Sequence, residues 1–317
     1  MTLTRRHFLA LSAATLTVRP SHAAGLQTLG GEAFGSYWRG MFAHDLPAGD
    51  VSGLIGQVVT QVDSQMSPYM PGSELSVFNR TGHAQVSEGV AGTTRAALQI
   101  ASDTGGAFDP TVGPLVARYG FGPIRGAEEQ AGWQALALSG NRLTREAEGV
   151  TLDLCGIAKG HALDRMADAL EAAGAGGFVL ELGGEVTARG QHPEGRPWQV
   201  GLEDGAGGLA GVARLQGLAV ATSGLWDQSY TVGQGRYGHI IDPETGAPAG
   251  GSLASVSVFH ERATIADGLA TALFVMGTDR ALAHARETGL AAVLVAQGGA
   301  VFVTGAAESF VEIGGLG

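Results

Sequence analysis

The sequence predicts an α+β fold, a single compact domain of mixed sheets with packed helices. Helical and strand-like segments are interspersed along the chain without the regular strand–helix–strand beat of a doubly wound sheet. Glycine supplies 52 of the 317 residues but follows no fixed period, which excludes collagen-like and solenoid repeats and predicts many tight turns. Hydrophobic residues make up 44 % and charged residues 15 %, the balance of a globular chain that can bury a substantial core.

Residues 1–23 stand apart. They read MTLTRRHFLALSAATLTVRPSHA, with Arg5-Arg6, Phe8-Leu9, a modest apolar run and a small-residue exit at Ala23, the pattern of a twin-arginine export signal. The expectation is a mature domain over 24–317, soluble and periplasmic. No cysteine stands near the leader to carry a lipid anchor, and no other apolar run approaches the roughly 20 residues of a membrane span.

Ile55, Val58, Val59, Val62 and Met66 lie at helical spacing and predict a helix over Ile55–Met66. The prolines and Gly72 of MSPYMPGSELSVFN force a loop before structure resumes at Glu74-Leu75. A helix over Gly92–Thr104 is stopped by Gly105-Gly106. AFDPTVGPLVARYG reads as a loop and a short helix opened by Pro110. Val150–Leu154 reads as a strand leading into the amphipathic helix of GIAKGHALDRMADALEAAG, which Gly174 ends. Phe178–Leu182 is a strand running into Gly183-Gly184. Further strands are predicted at Trp198–Leu202, Val212–Thr222, Ala254–His260, Ala291–Ala296 and Ala300–Thr304, with helices at Ala263–Met276 and Asp279–Thr288.

Charge narrows the function. The leader holds three arginines and no acid, so the 19 basic residues fall to 16 against 30 acidic ones, a net charge of −14. A surface this acidic is a poor partner for nucleic acid. An anionic substrate needs a local device instead, a metal ion or converging backbone N–H groups. Cys155 is the only cysteine. It rules out an internal disulfide and a Cys-rich zinc site, and is expected as a small buried packing group.

Five segments hold residues able to do chemistry. In AFDPTVGPL, Asp109 precedes a predicted helix, and taken alone reads as its N-cap. In LDLCGIAKG, Asp153 sits in an apolar stretch, and Lys159 is the only lysine among 19 basic residues, as if a compact ammonium were needed there. ELGGEV puts two glycines after a strand, which by itself is a plain turn. IADGLATALFVMG sets Asp267 and Thr271 four apart, so a carboxylate and a hydroxyl share one helix face and suit a hard, oxygen-preferring cation. In HIIDPETG, His239 lies between a strand end and a turn, where an imidazole near a metal-bound phosphate would serve as general base.

Taken in order, FGSYW, SPYMPGSELSVFN, GAFDPTVGPLV, LDLCGIAKGHALD, ELGGEV, ATSG, HIIDPETGAP and ADGLATALFVMG resemble the ApbE family, the FAD:protein FMN transferases. The resemblance spans almost the entire mature chain and implies an ApbE-like domain. It implies a Mg²⁺-dependent reaction in which FAD is split at its diphosphate, FMN is esterified to a Thr or Ser hydroxyl of an acceptor protein, and AMP leaves. It assigns the flavin site to Phe34, Tyr69, Ala107, Phe108, Asp109, Asp153, Lys159 and Ile241. It assigns the metal to the Gly156 carbonyl, Asp267 and Thr271, and the base to His239.

Two positions depart from some members: Ala270 stands in place of a further Asp, and Gly156 in place of a larger residue. Twin-arginine export resembles the subgroup accompanying nitrous oxide reductase, which implies a membrane-bound acceptor flavoprotein with a D-x-x-(S/T)-G-A-(S/T)-like site. Two other readings share these residues: a periplasmic FAD-binding protein without catalysis, and an FAD pyrophosphatase that uses water in place of an acceptor. The turn DPETGAP itself approaches the acceptor pattern, but Pro248 replaces its last hydroxyl residue, and Thr245 is read as scaffold.

Overall fold

The computed structural model describes residues 25–43, 46–126, 132–224, 229–232 and 235–314, so the export segment lies outside the described residues. The main sheet has eight strands that lie side by side in chain order. They are β1 (Leu26–Ala33), β2 (Ser36–Ala43), β3 (Gly177–Leu182), β4 (Glu185–Gly190), β5 (Ala219–Gly224), β6 (Leu253–His260), β7 (Ala292–Ala296) and β8 (Val301–Thr304). Every neighbouring pair is antiparallel. No parallel pair means no crossover beat, as expected of an α+β chain.

Side chains alternate across this sheet. Phe178, Leu180 and Leu182 of β3 join a core with Val62, Ile100 and Leu163 from the helices. Val179, Val186, Val220 and Val293 face the other way, onto Trp198, Val200 and Leu215 of a three-stranded sheet (Trp198–Glu203, Leu209–Leu215, Val311–Ile313). The helix layer comprises α1 (Ala48–Met66), α2 (Glu74–Thr81), α3 (Glu88–Asp103), α4 (Gly113–Arg118), α5 (Ala158–Ala172) and α6 (Ala263–Thr288). Gly277, at φ 73° and ψ 175°, breaks α6 where the sequence predicts two helices. No described helix is long and apolar enough to cross a membrane.

Several expectations needed correction. Strand β1, strand β2 and strand β4 were not foreseen. Helix α3 begins at Glu88, four residues before the predicted start, because Ser87 Oγ accepts from Val90 N and caps it. Pro110 does not open α4, which starts at Gly113 with Pro114 in its first turn. Val150–Leu154 joins no sheet. Its backbone is satisfied by the Asn79 amide, which accepts from Leu152 N at 2.7 Å and donates to Leu152 O at 2.9 Å. Val212–Thr222 is two strands, parted at Gly217 with φ 69°.

Helix α5 crosses α6 at very close range. A Cβ on Gly160 would lie 2.3 Å from the Ala263 carbonyl oxygen, so only glycine fits there. Four residues later, Asp164 is fully buried and caps α6 from outside: it accepts from Ala263 N (2.8 Å), Thr264 N (2.9 Å) and Thr264 Oγ1 (2.6 Å). These bonds replace the N-cap side chain that α6 lacks. Gly160→Ala should cost about 1–3 kcal/mol by forcing the helices apart. Denaturant unfolding checks this, and a midpoint unchanged from wild type would contradict it.

Candidate active site

The α5–α6 crossing carries the acidic end of the site. Asp267, buried in the second turn of α6, accepts from the Gly160 N–H through Oδ2 at 3.0 Å. Thr271 follows one turn later on the same face, with Ser223 Oγ of β5 3.4 Å from its Oγ1. Gly156 lies in the turn entering α5. A Cβ there would sit 3.6 Å from Thr271 Oγ1 and 3.2 Å from the Phe108 ring, so the bare backbone lies against both. The structure therefore brings Gly156, Phe108 and Thr271 together, with Asp267 a turn away.

Carboxylate, hydroxyl and carbonyl are all oxygen donors, the set that a hard divalent cation prefers. Among the described residues there is no group of three or more His, Cys, Asp or Glu that would hold a metal, so these mixed donors are not a carboxylate cage. Ala270 is fully buried in the apolar cluster with Val258 and Leu273.

Lys159 is anchored beside this group. Its Nζ donates to Glu185 Oε1 at 2.6 Å and to Gly183 O at 3.2 Å, both from the β3–β4 hairpin. That hairpin closes in the two residues Gly183 and Gly184, with φ 55° and 101°. A two-residue turn with both φ positive matches strand twist and strongly favours glycine. At Gly183 an added Cβ would come 3.5 Å from Lys159 Cδ, so the bare turn also lets the lysine stem pass close. The β1–β2 hairpin closes the same way through Phe34-Gly35, and Phe34 is the only described non-glycine with positive φ. The two turns adjoin, since that same added Gly183 Cβ would lie 3.4 Å from Ser36 Oγ.

One lysine faces several carboxyls. Burial pushes Glu185 up to about 8, against the pull of Lys159, and Asp267 adds to the rise. Burial also raises Asp267, opposed by Lys159 and by the Gly160 N–H. Glu185 Oε2 is sealed from solvent and has no hydrogen-bond partner. Unneutralised buried carboxylates are costly, and a bound cation would offset that cost, so the residues present fit a divalent ion.

Asp109 and Asp153 share the opposite wall. Asp109 is not an N-cap: its Oδ1 accepts from Thr111 N (2.8 Å) and Thr111 Oγ1 (2.6 Å), and its Oδ2 from Trp133 N (3.4 Å). Asp153 N donates to Pro110 O at 2.7 Å, tying the two segments together. Asp153 Oδ1 accepts from Cys155 N at 2.9 Å. Burial raises both carboxyls. Ala107 and Phe108 are buried beside Asp109. Tyr69 is 69 % exposed, yet its phenol is raised by surrounding protein and then by Cys155 and Asp153, so it overhangs this wall. Cys155 corrects an expectation. It is exposed rather than a packing group, though densely surrounded by protein, which together with Asp153 raises its thiol.

His239 and Ile241 come from a separate hairpin, Ile241–Asp242 paired with Ala247–Pro248. Ile241 is buried, and the His239 ring meets Phe121 edge-on with centroids 6.3 Å apart. Thr245 donates to Asp242 Oδ2 at 3.0 Å while Asp242 O accepts from Gly246 N at 2.9 Å, so the threonine hydroxyl braces the turn. Ile240 anchors the hairpin in the same apolar cluster as Ala266 and Ala270 of α6.

Fold and site together define an α+β protein with a set of oxygen donors at a two-helix crossing, beside two tight hairpin turns. A family model described as the ApbE family matches residues 34–305. The chain belongs to the ApbE family. It is 34 % identical over 283 residues to a Haemophilus influenzae protein named FAD:protein FMN transferase, covering 82 % of each chain. An Escherichia coli K12 protein of the same name is 30 % identical, with 92 % of this chain and 90 % of that one covered. Among solved structures, the apo form of the Pseudomonas stutzeri flavinyl transferase ApbE superposes with TM-score 0.80 at 30 % identity, covering 92 % of this chain and 98 % of that one. The Thermotoga maritima apbe protein gives 0.83 at 30 % identity, over 90 % of this chain and 99 % of that one.

Sequence reasoning quoted ELGGEV and ATSG but did not single out Glu185 or Ser223. The signal for Glu185 was present: a lone lysine in a buried turn requires a counter-charge, and an acid next to a glycine hairpin supplies one. Glu185 has its folded pKa raised above the unfolded value, so between pH 4.5 and about 8 the folded state holds a proton that the unfolded state releases. Its contribution to stability therefore falls as pH rises through that window. Lys159→Met removes the opposing charge and should extend the fall to higher pH. The variant should be less stable than wild type by about 1–3 kcal/mol at pH 8, discounted because Lys159 is 36 % exposed, and by much less at pH 5. Thermal melts at both pH values check this, and equal deficits would remove Lys159 as the counter-charge.

Proposed function

We propose that this protein transfers the FMN half of FAD to a Thr or Ser hydroxyl of an acceptor protein and releases AMP. The observation that carries the reading is the crossing itself. Asp267 and Thr271 on one helix face stand beside the Gly156 backbone and the anchored Lys159, in an otherwise acidic chain with few other means of holding a diphosphate. Family membership and the shared name of its relatives support the same reaction.

In this reading Phe34, Tyr69, Ala107, Phe108, Asp109, Asp153 and Ile241 bind the flavin half, and Lys159 faces the diphosphate. The Gly156 carbonyl, Asp267 and Thr271 would hold Mg²⁺. When bound, the ion supplies positive charge against the phosphoryl oxygens and the departing AMP. The acceptor hydroxyl oxygen attacks the phosphorus on the FMN side, and the bond from that phosphorus to the bridging oxygen breaks. That oxygen leaves with AMP. The hydroxyl proton passes to the His239 imidazole. The buried walls keep water away from the phosphorus, which favours an acceptor hydroxyl over hydrolysis.

The acceptor carries a D-x-x-(S/T)-G-A-(S/T)-like site and is membrane-bound. The enzyme meets it in the periplasm after twin-arginine export directed by residues 1–23. The leader and the acidic surface, which disfavours nucleic acid, support this placement.

Incubation with FAD, Mg²⁺ and a threonine-bearing acceptor domain tests the reading, with protein-bound FMN as the expected product. Free FMN and AMP with an unlabelled acceptor would instead establish an FAD pyrophosphatase, and no product would leave an FAD-binding protein. Asp267→Ala should abolish transfer with the circular dichroism spectrum kept, and a wild-type rate would remove the metal assignment. His239→Ala should lower the rate roughly 10²–10⁴-fold, as expected for loss of a general base. An unchanged rate would leave His239 as a positioning residue.

A further inference from the structure

Glu185 is an unusual residue to bury. Its side chain is 3 % exposed, one oxygen meets Lys159 at 2.6 Å, and the other has no hydrogen-bond partner. A buried carboxyl–ammonium pair of this kind adds little stability over an apolar pair of similar volume. The geometry does, however, decide where the Lys159 ammonium goes. Lys159 and Asp267 attract each other, as their opposing charges in the same buried cluster require. Yet the short contact of Lys159 is to Glu185, and no Lys159–Asp267 ion pair within 4.0 Å occurs among the described residues. Asp267 instead accepts from the Gly160 N–H, a neutral donor.

Two acceptors that hold Lys159, Gly183 O and Glu185 Oε1, belong to one tight hairpin of six residue pairs, closed by the Leu182–Glu185 pair with only two glycines between. A lysine is a point charge on a four-carbon stem, and without such a tether its ammonium would sample many rotamers. Released here, it would be drawn toward Asp267, the carboxylate of the helix crossing that already feels its charge.

We propose that Glu185 is a positioning residue that holds Lys159 away from Asp267, so that the Asp267 carboxylate stays available to a divalent cation while the ammonium stays beside the diphosphate site. The inference rests on the proposed function, which assigns Asp267 to the cation. It makes Glu185 act through Lys159 and not by touching the cation or the substrate.

The test compares Glu185→Gln with Glu185→Leu by calorimetric titration of the apo protein with Mg²⁺ alone and then with FAD. The Gln amide oxygen can still accept from the ammonium, so E185Q should keep Mg²⁺ affinity within about threefold of wild type. E185L should lose about 10–100-fold, the usual scale for removing a residue that orients a metal ligand. In the E185L background, Lys159→Met should recover most of that loss, because no ammonium remains to occupy Asp267. A loss in E185Q as large as in E185L would overturn the proposal in favour of simple charge. So would undiminished affinity in E185L. If E185L does not fold, E185Q still decides, since a tenfold loss there contradicts tethering. Absence of Mg²⁺ binding in the wild type would instead overturn the proposed function.

Discussion

The rest of the site depends on the contact between the first turn of α5 and the first turns of α6. At Gly160 the helices approach so closely that a methyl group would overlap the Ala263 carbonyl. That approach aims the Gly160 N–H at Asp267 and puts Asp164 over the N-terminus of α6. A buried carboxylate thereby gains one backbone donor and a fixed orientation, with no ion pair within 4.0 Å among the described residues. Thr271 follows from the helical repeat alone, and Gly156 from the turn that begins α5. One steric constraint, the missing side chain at Gly160, therefore sets the helix carrying the acid and the hydroxyl against the turn that holds Gly156.

Charge balance is the second constraint. Lys159 is the only lysine of the chain, and it stands between Glu185 and Asp267, both raised by burial. The cluster is short of positive charge. In a protein of this acidity, long-range attraction cannot supply an anion site, and binding must rest on local groups. The two hairpins serve this local design. Each turns in two residues with positive φ, and the Gly183-Gly184 turn presents bare backbone beside Lys159.

Much of this was legible in the sequence. The helix of GIAKGHALD has amphipathic spacing, and in the helix of IADGLATALF the four-residue spacing of Asp267 and Thr271 put both on one face. The glycines that end α3 and break α6 act through backbone conformation, which their identity alone announces. What escaped reading depended on contacts between distant segments. Val150–Leu154 has strand composition but no strand partner, because the Asn79 amide, 73 residues away, takes both backbone groups of Leu152. Asp109 resembles a cap yet bonds Thr111 and Trp133. Strand β4 was hidden because Glu185, Thr187 and Arg189 occupy one of its two buried faces, an arrangement that defeats apolar patterning and makes sense only beside Lys159 and Asp164.

The central claim is that the α5–α6 crossing builds a cation site from Asp267, Thr271 and the Gly156 carbonyl. The most direct measurement is a crystal structure of the protein grown with Mn²⁺ and mapped by anomalous scattering. The account predicts a peak within roughly 2.0–2.6 Å of Asp267, Thr271 Oγ1 and Gly156 O, the range of oxygen-ligated divalent ions. A peak against Asp109 and Asp153 instead, with the crossing unoccupied, would contradict it.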